Sequence, residues 1–292
     1  MQKNIFLILM FMAMIMWGAS WSSIKVMNEY LPTAELVFIR YAITVISSFF
    51  VALILRQSFA LDKQSLLISV LAAALTSFYG YVIFLGTKLG SASLAGAFIN
   101  AFSPIITFVL LAIFYRHGIK KLDIFALFIG FLGTMLMLGV WQFDAYRIFS
   151  AYNLYFILGA FLWSCIAIAS SHVKINASVF SFYMYLFTTI MVFAFTDTDK
   201  IIIQNLDMRF WLNTIFVSVV STSIATTLFF LGAKKLGSDK VSSFMFIAPS
   251  SAVITGAVTL DERLEILTLA GIVLTILAVY ILNCIRIFKK HT

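Results

Sequence analysis

Ten apolar runs follow one another along this chain, each close to the ~20 residues a helix needs to cross the hydrocarbon of a bilayer. They lie at roughly 4–24, 33–55, 65–86, 91–115, 122–140, 151–171, 178–196, 208–231, 239–260 and 264–287. Most carry no charge in the middle, and the connections between them are short. Composition agrees: 62% of residues are hydrophobic and 11% charged, where a soluble domain has about 25% charged. The bilayer is therefore the expected solvent. The first run, although preceded by Lys3, is longer than a signal peptide's apolar region and ends at no small-x-small cleavage site, so we read it as a retained span.

Charge placement orients the spans. With the N-terminus in the cytoplasm, thirteen Lys and Arg fall in inner segments and six in outer ones, while nine of the twelve acidic residues fall outside. This is the asymmetry the positive-inside rule requires. The net charge of +8 is thus accounted for by topology. No basic stripe or nucleic-acid motif accompanies it, so no nucleic-acid partner is expected. Both termini are placed in the cytoplasm, and the protein in the cytoplasmic (inner) membrane. Cys165 and Cys284 fall in spans and offer neither a disulfide framework nor metal-ligand spacing.

The chain writes one phrase twice. "FLGTKLGSAS" at 84–93 returns as "FLGAKKLGSDK" at 230–240, an offset of 146 to 147 in a chain of 292. Trp17 and Trp163, Thr76 and Thr222, Ser77 and Ser223, and Pro104 and Pro249 recur at the same offset to within a residue. Each half holds five spans. Five is odd, so the second half must lie upside down relative to the first. The expected fold is an all-α integral membrane protein of ten transmembrane helices, built as two inverted five-helix repeats, 1–143 and 144–292. Secondary transporters often have this architecture, with the substrate site near the midplane between the repeats.

Particular residues resemble a known family. "WGASWSSIKVMNEYLPTAELVFIRYAI" (17–43) is similar to the start of the EamA group of the drug/metabolite transporter superfamily, with Trp17, Gly18, Lys25, Pro32 and Arg40 at its spacing. "PSSAVITGAVTLDERLEILTLAG" (249–271) matches its Pro, Glu and Gly pattern through Pro249, Glu262 and Gly271. The chain departs from that pattern at His117, Ala126 and Asp261, so any role for the Glu-containing turn is assigned to the second half only. The resemblance covers nearly the whole chain. It implies a ten-helix inner-membrane carrier, often an exporter of amino acids or related metabolites. It does not name the substrate.

Candidate site residues come from polar and aromatic side chains within the spans. Ser93, Gly96, Asn100, Ser103 and Thr107 share one face of the fourth helix. A mid-membrane Asn needs a partner or a wet cavity, although small polar residues also bind helices together. Anchored on the prolines, Asn100 corresponds to Met245, so the stripe is not repeated; that favours Asn100 and Ser103 as cavity lining. Ser218, Thr222 and Thr226 form a second stripe. Thr222, repeated as Thr76, reads as packing, whereas Thr226 stays open between packing and substrate contact. Trp17, Tyr79, Tyr81 and Trp163 are expected around the cavity, and Trp21 at the outer interface. Pro104 and Pro249 can kink their helices and act as hinges. Ala126/Gly130 and Gly271/Thr275 read as helix packing.

Arg40 lies about two turns inside its helix and must snorkel or pair. We read it, with Lys25 and Glu262, as gating or structural charge. Lys25 and Glu29 are four apart and can pair at the outer face. No carboxylate lies deep in a span, so coupling to protons or sodium has no visible relay. No His/Asp/Glu constellation supports catalysis or a metal, and no cofactor is expected. The sequence therefore predicts a transporter of a small metabolite working by alternating access, as a monomer or homodimer. Uptake of a nucleotide-like or cationic compound, and a non-transporting sensor or assembly subunit, are the alternatives.

Overall fold

The computed structural model describes residues 2–90, 92–116, 118–137, 150, 152–251 and 266–285. Glu262 and His117 lie outside these described residues. All regular structure among the described residues is helical. The first half contains α1 (Gln2–Met27), α2 (Thr33–Ile54), α3 (Lys63–Leu89), α4 (Ala92–Tyr115) and α5 (Lys121–Met137). The second contains α6 (Asn153–Ser171), α7 (Ala177–Phe193), α8 (Met208–Leu236), α9 (Ser238–Ser243) and α10 (Ile266–Tyr280). Two short 3-10 turns, Thr198–Lys200 and Ile203–Asn205, leave the end of α7 at 95°. Among the described residues, seven helices are long and apolar enough to cross a membrane, or eight if that bent pair counts as one span.

Local chemistry sets the helix starts. Asp62 accepts from the amide and hydroxyl of Ser65 at 2.8 and 2.9 Å, capping α3. Those bonds, the amide first, hold its carboxyl below the usual carboxylate range. Asn176 caps α7 and Asp207 caps α8 in the same way. The repeated phrase puts a glycine at the helix end each time, for different reasons. Gly237 has φ +96°, the left-handed region, and turns the chain from α8 into α9. Gly90 is extended, and a Cβ there would lie 2.8 Å from the Tyr152 ring.

The outer surface is apolar. Ile46, Phe50, Leu67, Phe114, Leu154, Ile190, Leu212 and Val273 are all exposed. A soluble monomer does not carry a girdle of this kind, and a lipid surrounding explains it. Small residues set the closest helix approach. α5 packs along α10, where a Cβ on Gly271 would lie 2.6 Å from the Gly133 carbonyl oxygen. Gly130, also read as packing, faces the Phe246 ring, where a Cβ would lie 2.7 Å from it. Elsewhere α2 packs on α7 and α8, α3 on α6 and α7, α1 on α8, and α4 on α6.

Candidate functional site

Seven helices each turn a polar or aromatic side chain toward one internal cavity. Trp17 and Trp21 on α1 are four residues apart and share a face. Arg40 and Tyr41 enter from α2, Thr76 and Tyr79 from α3, and Asn100 from α4. Trp163 enters from α6, Tyr185 from α7, and Ser221, Thr222 and Thr226 from α8; Met245, just after α9, completes the wall. The void measures about 50 Å³. One water needs about 10–15 Å³ of such space, so small polar groups fit within the cavity.

Arg40 is the charged residue of this wall, and it is 8% exposed. It neither snorkels nor meets a carboxylate among the described residues. Its Nη2 donates to Thr222 Oγ1 at 2.9 Å. Its guanidinium carbon lies 5.2 Å from the centroid of the Tyr41 ring and 5.7 Å from that of Phe84, so the plane of charge rests on aromatic faces. Tyr41 in turn stacks on Tyr185 at 5.7 Å. Arg40, read from the sequence as a gating or structural charge about two turns inside its helix, thus stands in the wall of the cavity.

Aromatic rings close one end of the cavity. Trp17 and Trp163 meet edge to face at 5.0 Å, and Phe229 packs on both, at 5.0 and 5.4 Å. Trp17 Nε1 donates to the carbonyl of Ser221 at 2.9 Å. That carbonyl belongs to a π-helical stretch, Phe216–Ile224, in the middle of α8. The wider turn sets Ser221 and Thr222 side by side in the wall, which α-helical steps of four do not anticipate. The neighbouring Ser218 carbonyl accepts from Thr44 Oγ1 at 3.2 Å.

The other end carries exposed links between the two halves. Arg209 donates to Glu29 at 3.1 Å, and the Tyr30 hydroxyl reaches both Asp207 oxygens at 2.8 and 2.9 Å. The Phe210 amide, and then Tyr30, hold the Asp207 carboxyl below its usual range, while that bond to Asp207 raises the Tyr30 hydroxyl. Exposed pairs of this kind contribute little, so the links are easily parted.

Other expected site residues fall into different places. Ser103 ties α4 to α6: its hydroxyl donates to the Ala160 carbonyl at 3.4 Å, and Ser164 donates to its own carbonyl at 3.0 Å. Thr107 donates to Ser242 at 3.2 Å. Among the described side chains of that group, Asn100 lines the cavity. Tyr81 is 44% exposed on the outer face, in a shallow apolar groove with Phe78, Met191 and Phe195. It stands two residues from Tyr79, and residues two apart on a helix cannot face the same way. Pro104 lies within an unbroken α4, whereas the turn before Pro249, Phe244–Ile247, tightens to a 3-10 helix. Each proline lacks the amide that would bond the carbonyl four residues earlier. Those earlier residues are Asn100 and Met245, and both line the cavity.

Lys25 does not pair with Glu29. Its Nζ donates to the carbonyls of Thr87 and Gly90 at 2.8 and 2.9 Å. The last carbonyls of a helix lack intrahelical donors and carry partial negative charge, so a cation settles there. Glu29 is left to Arg209. Lys25→Met should therefore loosen the end of α3 and cost about 1–3 kcal/mol. A fall in melting temperature of the detergent-solubilised protein, not shared by Glu29→Gln, would show it.

Sequence reasoning missed Tyr41, Tyr185, Ser20 and Ser221 as cavity residues, and read Thr76 and Thr222 as packing and Trp21 as interfacial. The signal for Thr76 and Thr222 was present in the repeat. Trp21 was marked by its spacing from Trp17, and by Gly96 opposite, where a Cβ would lie 3.1 Å from the Trp21 ring. Tyr185 had no comparable signal.

A chain whose described regular structure is all helical, with an apolar outer surface and a polar, aromatic-walled cavity, is a multi-pass membrane protein of the carrier type. The EamA-like transporter family model matches it twice, over residues 4–139 and 150–284. The chain belongs to that family. An uncharacterized transporter of Synechocystis sp. is 31% identical over 80 residues, a segment spanning 27% of this chain and 24% of the relative. A solved crystal structure, described only as that of a protein, is similar over 97% of this chain and 98% of its own, with a TM-score of 0.78 at 15% identity. That likeness concerns the fold.

Proposed function

We propose that this protein is a secondary transporter that carries a small metabolite, an amino acid or related compound, across the cytoplasmic membrane. It works by alternating access around the Arg40 cavity, with export as its direction. The observation that carries this reading is where the repeat puts its paired residues. Trp17 and its counterpart Trp163, Thr76 and its counterpart Thr222, and Asn100 and its counterpart Met245 all line one cavity. Residues equivalent in two repeats meet only near the axis that relates them, which is where an inverted-repeat carrier holds its substrate.

Helix packing supports the same reading. Exchanging each helix with its counterpart five places on turns the α3–α6 contact into α8–α1, and α3–α7 into α8–α2, while α5–α10 and α2–α7 map onto themselves; all of these contacts occur. Ten helices in two inverted halves, 1–143 and 144–292, give this pattern. With the N-terminus in the cytoplasm, the Trp17–Trp163–Phe229 knot lies on the inner side of Arg40, and the Glu29–Arg209 and Tyr30–Asp207 links lie at the outer end. Each would open in turn, with Pro104 and Pro249 as the points of bending. Proton or sodium coupling, and a monomer or homodimer, complete the proposal.

The test is the content of a labelled amino-acid and metabolite panel in cells with and without expression of the protein, repeated with an ionophore. Export predicts that at least one compound falls on expression and that the ionophore reverses the fall. A compound that rises reverses the direction. No change across the panel, with the protein folded in the membrane, removes the transport reading and favours a sensor or assembly subunit.

A further inference from the structure

We infer that the cavity recognises its substrate through a carboxylate docked on Arg40, and that it does not take organic cations; this names a substrate class for the site proposed above and rests on that reading. Unsatisfied donors gather at this site. Twelve buried side-chain polar atoms have no hydrogen-bond partner among the described residues, and six of them belong to this one wall. They are Arg40 Nε and Nη1, Asn100 Nδ2, Trp21 Nε1, Trp163 Nε1 and Thr76 Oγ1. Five are N–H groups that can only donate, and the sixth is a hydroxyl that can do so.

A buried donor left unpaired costs about 1–3 kcal/mol, and more when it is charged. Six in one place are a cost the fold carries for no structural gain. An acceptor-rich group would satisfy them together. A carboxylate offers two oxygens with about four lone-pair sites, and a guanidinium fork matches that geometry. On Arg40, Nη2 keeps a second N–H besides the one given to Thr222, and that N–H forms a fork with the unpartnered Nε or Nη1 beside it.

Charge points the same way. The described residues of the wall include one arginine and no Asp, Glu or His. A cation without a carboxylate of its own would meet a like charge that nothing in the described wall answers. The remaining wall is aromatic, and flat rings suit the apolar body behind the head group. The void of about 50 Å³ has room for a group of a carboxylate's size. The body of the substrate would displace the rings as it enters.

The test uses the full chain in detergent and reads tryptophan fluorescence, since Trp17, Trp21 and Trp163 border the cavity. The probes share a phenethyl body and differ in the head group: 3-phenylpropionate, phenylalanine, 3-phenylpropanamide and phenethylamine. Saturable binding of both carboxylates is expected, at least about tenfold tighter than the amide, with none from phenethylamine. Arg40→Gln should bring the carboxylates down to the amide. Arg40→Lys, which keeps the charge and loses the fork, should fall between.

The inference is overturned if phenethylamine or the amide binds the unaltered chain as tightly as 3-phenylpropionate, if neither carboxylate binds, or if Arg40→Gln binds carboxylates unchanged. The comparison among probes stands even if a variant fails to fold. A chain that binds carboxylates but moves no solute would sink the transport reading and leave this one. A chain that exports a cation regardless of Arg40→Gln would do the reverse.

Discussion

Arg40→Leu is expected to raise the melting temperature of the protein and to abolish its transport. The two effects have one cause. Arg40 is a buried cation with no carboxylate partner among the described residues, held by one hydrogen bond to Thr222 and by two aromatic faces. A charged side chain within a membrane costs about 2.5–3.5 kcal/mol even on the gentler scales. Leucine fills much of the same volume and carries no charge, so removing the cation should stabilise the folded protein by about 1–3 kcal/mol. The lost bond to Thr222 returns about 1 kcal/mol of that gain. Transport should fall by about a hundredfold or more, because a charge-assisted anchor contributes about 1.5–3 kcal/mol per bond and two bonds are lost. Thermal unfolding in detergent, followed by fluorescence, reads the first effect. A melting temperature lowered by several degrees would make Arg40 a tether between α2 and α8 and not an anchor for a ligand.

Gly271→Leu should prevent assembly of the folded protein. Even the first side-chain carbon at this position would lie 2.6 Å from the Gly133 carbonyl oxygen and 2.8 Å from the Met137 amide nitrogen. Both are backbone atoms and cannot swing aside. α5 and α10 would have to separate along their length, at a cost of about 3 kcal/mol or more. Gly118→Leu is the control, since nothing lies within 4 Å of a Cβ there. The measurement is the yield of monodisperse protein by size-exclusion chromatography in mild detergent. Equal yields from the two variants would show that α5 and α10 do not pack as described.

Much of this was written in the sequence, and the misses have physical causes. Long apolar runs gave the helices, because a spanning segment must be both apolar and long. Trp17, Tyr79, Asn100 and Trp163 were expected around the cavity and line it; Thr226, which stayed open between packing and substrate contact, lines it too. Tyr81 was misplaced because being on the same helix as Tyr79 was taken as being on the same face. Arg40, about two turns inside its helix, was expected to snorkel or pair because a buried cation is costly; the surrounding rings and Thr222 show why it stays inside. Lys25 found helix-end carbonyls that no side-chain pattern announces. The π-helical turn of α8 changed which of its hydroxyls face inward, and nothing in "FVSVVSTSI" distinguishes it from an α-helix.

Solute counterflow in proteoliposomes tests the central claim most directly. Vesicles holding the unaltered chain are loaded with the compound that moves in the cell panel, then diluted into a trace of its labelled form. A carrier with one alternating site gives a transient accumulation of label above equilibrium, and Arg40→Gln should lose it. A slow rise to equilibrium with no overshoot in the unaltered chain, or an equal overshoot in Arg40→Gln, would contradict the account.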